Sequence, residues 1–217
     1  MDVKQFENNR WQKEDQLIQF RHRAALAMMG LPTGGETVLD LGSGDGLFLA
    51  LLRGKGITGK GLDLSEEGVA KANTKGLDTA VFDFASNRLP FSDNSFDTVV
   101  MLDILEHLYD PQSLLYEASR VSKRNIIVGV PNFSSLPARL QTLCGRVPEN
   151  NQPKKGHVYW FNLPVLLNLF SRAKISLAKL ESNTVFESVP LVSIITKFLA
   201  RVLPNLWSLS FVALARK

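Results

Sequence analysis

Cysteine is nearly absent from this sequence, which limits both the covalent and the metal chemistry open to it. Its 217 residues contain one cysteine, Cys144. These residues therefore cannot form an internal disulfide, and no cysteine-rich metal motif is present. A lone thiol is typical of proteins from a reducing compartment. We accordingly expect a cytoplasmic protein.

Long apolar segments are also missing. The most apolar stretch, residues 189–212, is interrupted by Lys197, Arg201 and Pro204. No uncharged run therefore reaches the roughly 20 residues that span a bilayer. The segment Met1–Gln5 is polar and lacks the apolar core of a signal peptide. These features predict neither a transmembrane segment nor secretion.

A strong charge of one sign is the third absence. The 25 lysines and arginines exceed the 21 acidic residues by a net charge of +4, and the basic residues are scattered. Nucleic-acid-binding proteins usually carry a dense basic stripe interleaved with aromatic residues. We therefore expect a small-molecule partner and no nucleic acid.

The sequence does contain a regular alternation of strand-like and helix-like segments. Strands are predicted at 37–41, 58–62, 79–82, 96–102, 125–130, 175–180 and 209–215. Helices are predicted at 12–29, 46–52, 136–143, 163–172 and 192–203, with two more that begin after Ser65 and Asp110. This alternation predicts an α/β fold with a mostly parallel sheet.

The segment Val38–Gly46 is the most informative part of the chain. An apolar strand contains Asp40 and is followed by glycines at alternate positions, 42, 44 and 46, and then by a helix. Glycines allow a sharp turn and let a ligand lie against the backbone. The start of a helix adds unpaired N–H groups. The segment therefore predicts a nucleotide site at the carboxyl end of a parallel strand.

Acidic residues also follow the next two predicted strands. Asp63 lies about twenty residues beyond the glycine turn, a position from which a carboxylate can accept hydrogen bonds from ribose hydroxyls. Asp83 could accept a hydrogen bond from an adenine amine, with Phe82 or Phe84 against the base. Because aspartate also favours turns, a purely structural role is the alternative for both acids.

The loop itself indicates the kind of cofactor. Gly46 comes one residue earlier than the third glycine of a dinucleotide-binding G-x-G-x-x-G turn. Acids at Asp40 and Asp45 would be poorly placed beside a pyrophosphate, whereas they suit a cofactor with ammonium and sulfonium groups. A nicotinamide dehydrogenase is thus the disfavoured alternative.

Four segments resemble class I S-adenosylmethionine-dependent methyltransferases. They are Val38–Gly46, Gly61–Asp63, Leu89–Asp97 and Leu105–Leu108, within about residues 36–130. The resemblance implies a Rossmann-like seven-stranded sheet, helices on both faces and a reversed C-terminal hairpin. It also implies S-adenosyl-L-methionine as cofactor and S-adenosyl-L-homocysteine as product.

The same resemblance implies a cofactor site. Its members would be Asp40, Gly42, Ser43, Gly44, Gly46, Asp63, Leu64, Asp83, Phe84, Leu102 and Asp103. Residues 1–35, with Trp11 and Arg23, would form a helical lid over the core at 36–130. Residues 131–162 would form a substrate-side insertion, and 163–217 would supply the last helices and strands of a single domain.

A narrower resemblance links the segment after the fifth strand to MetW-type proteins of methionine biosynthesis. Pro131–Phe133, Arg139–Gln141 and Gly145–Pro148 are similar to these methyltransferase-fold proteins, which are linked to homoserine acylation. Residues 103–107, Asp-Ile-Leu-Glu-His, depart from the Thr-Leu-Gln-type segment of MetW proteins and resemble small-molecule methyltransferases. The resemblance leaves open methyl transfer to a small molecule, or a cofactor-binding regulatory subunit that pairs with an acyltransferase.

Catalysis of methyl transfer depends mainly on alignment, and a base helps when the acceptor is a hydroxyl or an ammonium group. His107, Tyr109 and His157 are the candidate bases, and Glu106 is a further candidate. The structural alternatives are a turn anchor for His107, a local cap or pair for Glu106 and core packing for His157. The third histidine, His22, is expected on the surface. No metal site is predicted.

The predicted helix at 192–203 is apolar except at Ser193, Lys197 and Arg201. Such a helix could cap a substrate pocket, form a homodimer face or touch a membrane surface, with core packing as the alternative. An apolar acceptor, such as an isoprenoid compound, would suit the first of these roles.

Overall fold

A computed structural model describes residues 3–11, 17–30, 35–84, 88–185 and 189–217. The strands in these ranges are β1 (Thr37–Leu41), β2 (Thr58–Asp63), β3 (Asp78–Val81), β4 (Phe96–Leu102), β5 (Ser122–Pro131), β6 (Ser176–Thr184) and β7 (Ser208–Arg216). The helices are α1 (Val3–Trp11), α2 (Phe20–Met29), α3 (Leu47–Arg53), α4 (Glu66–Thr74), α5 (Pro111–Val121), α6 (Leu136–Leu143), α7 (Leu163–Arg172), α8 (Pro190–Val202) and α9 (Pro204–Trp207).

The seven strands form one sheet in the order β3-β2-β1-β4-β5-β7-β6. β1 to β5 pair in parallel, whereas β7 runs antiparallel to both β5 and β6. The predicted Rossmann-like sheet with a reversed C-terminal hairpin is therefore confirmed. The strand order reverses between β1 and β4, and ligands of open α/β sheets bind outside the carboxyl ends of the strands at such a point.

The sheet is covered on both faces, which explains why its central strands are apolar at nearly every position. Leu39 and Met101 belong to a cluster that includes residues of α5 and α7. Val38 and Val100, which alternate with them, join a second cluster with residues of α2, α3 and α4. The two clusters hold the carboxyl ends of β1, β2 and β4 in fixed positions.

The N-terminal region differs from the single helix predicted at 12–29. α1 ends at Trp11, residues 17–19 are not helical, and α2 begins at Phe20, while residues 12–16 lie outside the described ranges. Leu17, which the helical spacing placed on an apolar face, is 79 % exposed. The helical spacing of apolar residues extends N-terminal of Phe20, where α2 begins, because periodicity alone does not locate a helix boundary.

The orientation of α8 is the opposite of that expected for a core helix. Its small or polar residues Ser193, Thr196 and Ala200 are buried against the protein, and the Thr196 hydroxyl lies 3.1 Å from that of Thr184. Its large apolar side chains face outward, among them Leu191, Ile194, Ile195, Phe198 and Val202. Core packing of this apolar face is therefore excluded. Among the helices of the described ranges, none is long and apolar enough to cross a membrane.

The segment Leu89–Asp97, which carries much of the resemblance, stabilises the fold and lies away from the carboxyl ends of the strands. The Arg120 guanidinium on α5 donates hydrogen bonds to the carbonyls of Leu89 and Phe91 and to the carboxylate of Asp93. Asp97 accepts hydrogen bonds from the backbone N–H and hydroxyl of Thr37, which joins the starts of β4 and β1. The Leu89–Asp97 segment thus resembles the methyltransferases in a part of the chain that stabilises the fold and does not line the carboxyl ends of the strands.

Candidate active site

A groove crosses the carboxyl ends of β1, β2 and β4, where the strand order reverses. Predicted cofactor residues that line it are Asp40, Gly42, Ser43, Asp63, Leu64, Phe84, Leu102 and Asp103. Trp11, Arg21, His22, Phe48, Ile104, His107 and Leu108 complete its wall.

Three other predicted cofactor residues lie outside this lining. Asp83 is exposed at the end of β3, although Phe84 beside it reaches the groove. Gly46 packs closely against Leu77 and α4, as shown by the 2.4 Å that would separate an added Cβ from a Leu77 methyl carbon. Gly44 is covered by another side chain, as described next. Their roles toward a cofactor stay predictions.

Trp11 covers the glycine turn. A Cβ added to Gly44 would lie 2.1 Å from a ring carbon of Trp11, so the indole packs directly on the bare backbone. Trp11 is 5 % exposed. The helix that carries it, α1, is held on α4 by an ion pair of 2.6 Å between Lys4 and Glu66. The α1 segment thus closes one side of the groove, as a lid would.

Asp63 connects the end of β2 to the glycine turn. One carboxylate oxygen accepts a hydrogen bond of 2.7 Å from the Gly44 N–H, and the other accepts one of 2.8 Å from the Ser65 N–H. Each carboxylate oxygen has a second lone pair, so the group can also accept from a diol. Asp63 therefore both fixes the loop and presents an acceptor to the groove.

Asp40 is a buried acid in the floor of the groove. Burial, and after it the nearby carboxylate of Asp63, raises the pKa of Asp40 from its usual 3.8 to about 8. The protonated, neutral form of this carboxyl group is therefore favoured in the free protein at neutral pH. A cation placed in the groove would favour the ionised form, because an opposite charge offsets the cost of burial.

Asp45 does not line the groove, which corrects the interpretation of the loop as a pair of acids facing a cofactor. Its carboxylate is 1 % exposed and forms an ion pair of 2.9 Å with Lys75, which also bonds to the Asp45 carbonyl. Asp45 also accepts a hydrogen bond of 3.3 Å from the Leu47 N–H at the start of α3. Its function is to hold the turn.

His22 is buried, not on the surface as expected. It is 3 % exposed, and burial, followed by the neighbouring charge of Arg21, lowers its pKa from the usual 6.5 to about 4. Its neutral ring accepts a hydrogen bond of 3.0 Å from the Gln19 N–H through Nδ1. This is the reciprocal capping box at the start of α2. No local signal predicts this pair, because a capping box is normally recognised from Ser or Thr followed three residues later by Glu or Gln.

A second cavity opens beside the groove, and we call it the acceptor cavity. Arg21, Asp103 and His107 line both spaces, and the ion pair of 2.9 Å between Arg21 and Asp103 lies at their junction. Its other walls come largely from the segment predicted as a substrate-side insertion, with Pro131, Ser135, Pro137, Ala138, Gln141, Pro148, Glu149, Asn150, Lys154, Lys155 and His157. None of the described residues of α8 is among its lining residues.

The structure brings two of the three candidate bases together and separates the third. His107 and His157 lie with ring centroids 4.9 Å apart, and both line the acceptor cavity beside Glu106. Tyr109 is 82 % exposed and lines neither space. A role for Tyr109 toward a bound acceptor therefore has no support from its position.

The fold, the glycine turn and the carboxylate at the end of β2 define a protein of the class I S-adenosylmethionine-dependent methyltransferase fold. Within this class, the chain belongs to the MetW family, because the model described as methionine biosynthesis protein MetW matches residues 23–211.

Individual relatives agree with this class. The chain is 34 % identical over 114 residues to demethylmenaquinone methyltransferase of Tropheryma whipplei. The matched stretch covers 52 % of this chain and 47 % of that protein. It is 29 % identical over 140 residues to the bifunctional methionine biosynthesis protein MetXA/MetW of Rhodopirellula baltica, covering 60 % of this chain and 22 % of that one. The chain thus spans about half or less of the length of the curated relatives it matches.

The likeness to solved structures extends over the whole chain. Magnesium protoporphyrin IX methyltransferase of Synechocystis, solved with bound S-adenosylhomocysteine, superposes with a TM-score of 0.69 at 17 % identity. The superposition covers 99 % of this chain and 98 % of that one. At this identity the likeness concerns the fold.

Proposed function

We propose that this protein transfers a methyl group from S-adenosyl-L-methionine to a polar small molecule held in the acceptor cavity. The observation that carries the proposal is the junction of the two spaces. The groove with Asp40 and Asp63 shares Asp103 and His107 with a second cavity whose lining is more polar than its own. Two adjoining spaces of this kind suit a donor and an acceptor that must meet end to end.

The residues of the groove fit the proposed cofactor. Asp63 offers acceptors to ribose hydroxyls, and the buried Asp40 favours a nearby cation. Phe84 and Leu64 add apolar surface for a base. The buried Ser43 hydroxyl, which has no hydrogen-bond partner among the described residues, lines the same groove. When bound, S-adenosylmethionine would supply an electrophilic sulfonium methyl group.

The acceptor is expected to be polar. Acidic, basic and amide side chains, including Glu149, Asn150, Lys154 and Lys155, contribute much of the cavity lining, beside apolar residues such as Phe20 and Leu209. An isoprenoid acceptor bound along α8 is disfavoured, because the described residues of α8 stay outside the cavity lining. Deprotonation of a hydroxyl acceptor would fall to His107 or His157, the two bases that line the cavity.

A second candidate function is a cofactor-binding regulatory subunit that pairs with a biosynthetic acyltransferase. Its support is the match to the MetW model and the bifunctional MetXA/MetW relative, in which a MetW part is joined to another biosynthetic protein. The outward apolar face of α8 would be available to a partner or to a second copy of the chain. Either function uses the same cofactor groove.

Two measurements separate the two functions. Calorimetry with S-adenosylhomocysteine tests the groove, and release of labelled methyl groups to a panel of polar metabolites tests transfer. Turnover of any acceptor supports the enzyme. Binding without turnover, together with co-purification of an acyltransferase, supports the regulatory subunit. Absence of cofactor binding would contradict both proposals, and tighter binding of NADH would favour a dehydrogenase.

Gly44→Ala should weaken S-adenosylhomocysteine binding by about 10-fold or more, which corresponds to about 1.4 kcal/mol. The new Cβ would overlap the Trp11 ring and displace it from the wall of the groove. Gly56→Ala is a matched control, because Gly56 also has a positive φ, of 74°, but has no heavy atom within 4 Å of an added Cβ. Both variants carry the backbone cost of about 1–2 kcal/mol. Equal affinity in the two variants would exclude a role for Trp11 packing.

A further inference from the structure

Glu106, His107 and His157 form a compact cluster of metal-ligating side chains. One ligand atom from each residue lies within 4.8 Å of the others, and Oε1 of Glu106 is 4.0 Å from Nε2 of His157. The Glu106 side chain is 1 % exposed and that of His157 is 10 % exposed. The expectation of no metal site arose because His157 is far from the other two residues in the sequence.

The backbone builds this cluster. Glu106 and His107 lie in a 3₁₀ turn, Leu105–His107, directly after β4. The Glu106 carbonyl accepts hydrogen bonds of 2.8 Å and 3.0 Å from the N–H groups of Val158 and Tyr159. These two bonds fix the loop that carries His157 beside the turn. The juxtaposition is therefore held by main-chain contacts and does not depend on side-chain rotamers alone.

Hydrogen bonds also set the orientation of both imidazoles. Nδ1 of His157 lies 2.7 Å from the Asn150 carbonyl, and Nδ1 of His107 lies 3.2 Å from the Gly156 carbonyl. A carbonyl oxygen only accepts, so each Nδ1 carries the proton and each neutral ring has its lone pair at Nε2. Metal-binding histidines almost always donate their other ring N–H in this manner.

We propose that Glu106, His107 and His157 bind one divalent transition-metal ion, such as Zn²⁺, with an open position toward the acceptor cavity. Two imidazoles and one carboxylate are a common donor set for Zn²⁺ and Fe²⁺. Metal–ligand bonds of about 2.1 Å in tetrahedral geometry separate the ligand atoms by about 3.4 Å. The separations in the cluster therefore need to shorten by up to about 1.4 Å, within the range of side-chain rotation.

The position of the cluster gives the ion a function. All three residues line the acceptor cavity, and His107 also lines the cofactor groove. An ion held there would bind an oxygen ligand near the junction of the two spaces and would lower the pKa of a coordinated hydroxyl. With the ion bound, His107 and His157 would act as ligands, and this effect of the metal would replace their proposed role as bases. This role rests on the proposed methyl transfer, whereas metal binding itself does not. The alternative is a metal-free ion pair between Glu106 and a protonated His157.

Metal binding is tested on the full chain after chelator treatment, in the absence of cofactor. We expect one Co²⁺ per chain by equilibrium dialysis, with a visible absorption band, and displacement of Co²⁺ by Zn²⁺. Cys144→Ser serves as the background, because the exposed thiol could bind either ion. His107→Ala and His157→Ala should each weaken Co²⁺ binding by about 100-fold. Loss of a residue that only hydrogen-bonds to a metal ligand already weakens metal binding by about 10–100-fold, so loss of a ligand should reach the upper end of this range.

His22→Gln is the matched control, because it removes the remaining histidine and should leave Co²⁺ affinity unchanged. Circular dichroism checks that each variant is folded. If one of the histidine variants does not fold, Glu106→Gln, which keeps the side-chain size, is measured in its place. No stoichiometric binding, or equal affinity in the folded variants, would overturn the site and favour the ion pair.

An azide-induced change in the Co²⁺ band is expected for an open position, and its absence would overturn that part of the proposal. If Co²⁺ binds as expected and no acceptor is methylated, the proposed function fails and the metal site stands.

Discussion

Asp63→Ala should reduce affinity for S-adenosylhomocysteine by at least about 100-fold, or about 2.7 kcal/mol. The carboxylate is placed to accept from ribose hydroxyls, and hydrogen bonds to a charged group contribute about 1.5–3 kcal/mol each. The same substitution removes the acceptor for the Gly44 and Ser65 N–H groups. We therefore also expect a loss of about 2–4 kcal/mol in the free energy of unfolding.

The two effects of Asp63→Ala can be measured separately. Titration calorimetry reports ligand affinity, and urea unfolding reports stability. Asp78→Ala is a suitable control, because this acid on the adjacent strand is largely exposed and pairs only with the exposed Lys60 at the surface among the contacts described for it. Unchanged ligand affinity in a less stable Asp63→Ala protein would restrict Asp63 to holding the loop. Equal losses in both aspartate variants would point to a nonspecific effect.

Asp40→Asn should make the free protein more stable than the wild type at pH 8 and change it little near pH 4. The folded protein raises the pKa of Asp40 from 3.8 to about 8, so it retains a proton that the unfolded chain releases between these values. Wild-type stability therefore falls as pH rises through this window, at about 1.4 kcal/mol per pH unit. Asparagine cannot ionise, and the difference reaches up to about 4 kcal/mol at pH 7. Urea unfolding at several pH values measures it.

Ligand binding should show the complementary pH dependence. A cationic cofactor favours ionised Asp40, so wild-type affinity for S-adenosylmethionine should rise toward pH 8 by up to about tenfold per pH unit and then level off. In Asp40→Asn this rise should disappear. A parallel rise in both proteins would assign the dependence to another group. Asp110→Asn, at the exposed cap of α5, is expected to leave both the stability profile near neutral pH and the affinity unchanged.

The parts of the site that local sequence patterns predict are those that follow directly from the strand ends. Asp40 and Asp63 were predicted in the groove because parallel strands bring their carboxyl ends to one edge of the sheet. The start of α4 at Ser65 and that of α5 at Asp110 were also predicted correctly, because capping is a local interaction. The seven-stranded sheet with its reversed hairpin was predicted from the family resemblance, whereas the strand order is seen only in the structure.

The remaining parts depend on contacts between distant residues. Neither the packing of Trp11 on Gly44 nor the approach of His157 to Glu106 follows from local propensity, because each requires a folded sheet to bring the partners together. The pairing of Asp45 with Lys75 is of the same kind. The apolar pattern of α8 predicted a helix correctly, but amphipathicity does not state which side faces the protein.

The indole of Trp11 gives this protein a built-in optical reporter. Of the three tryptophans, Trp160 is 62 % exposed and Trp207 is partly buried, and neither lines the groove, whereas Trp11 is almost fully shielded from water and forms part of the groove wall. A ligand that enters the groove, or a movement of α1 away from the glycine turn, would change the emission of Trp11, which alone of the three tryptophans lines the groove. Opening and closing of the groove can therefore be followed in real time by stopped-flow fluorescence, without any attached dye.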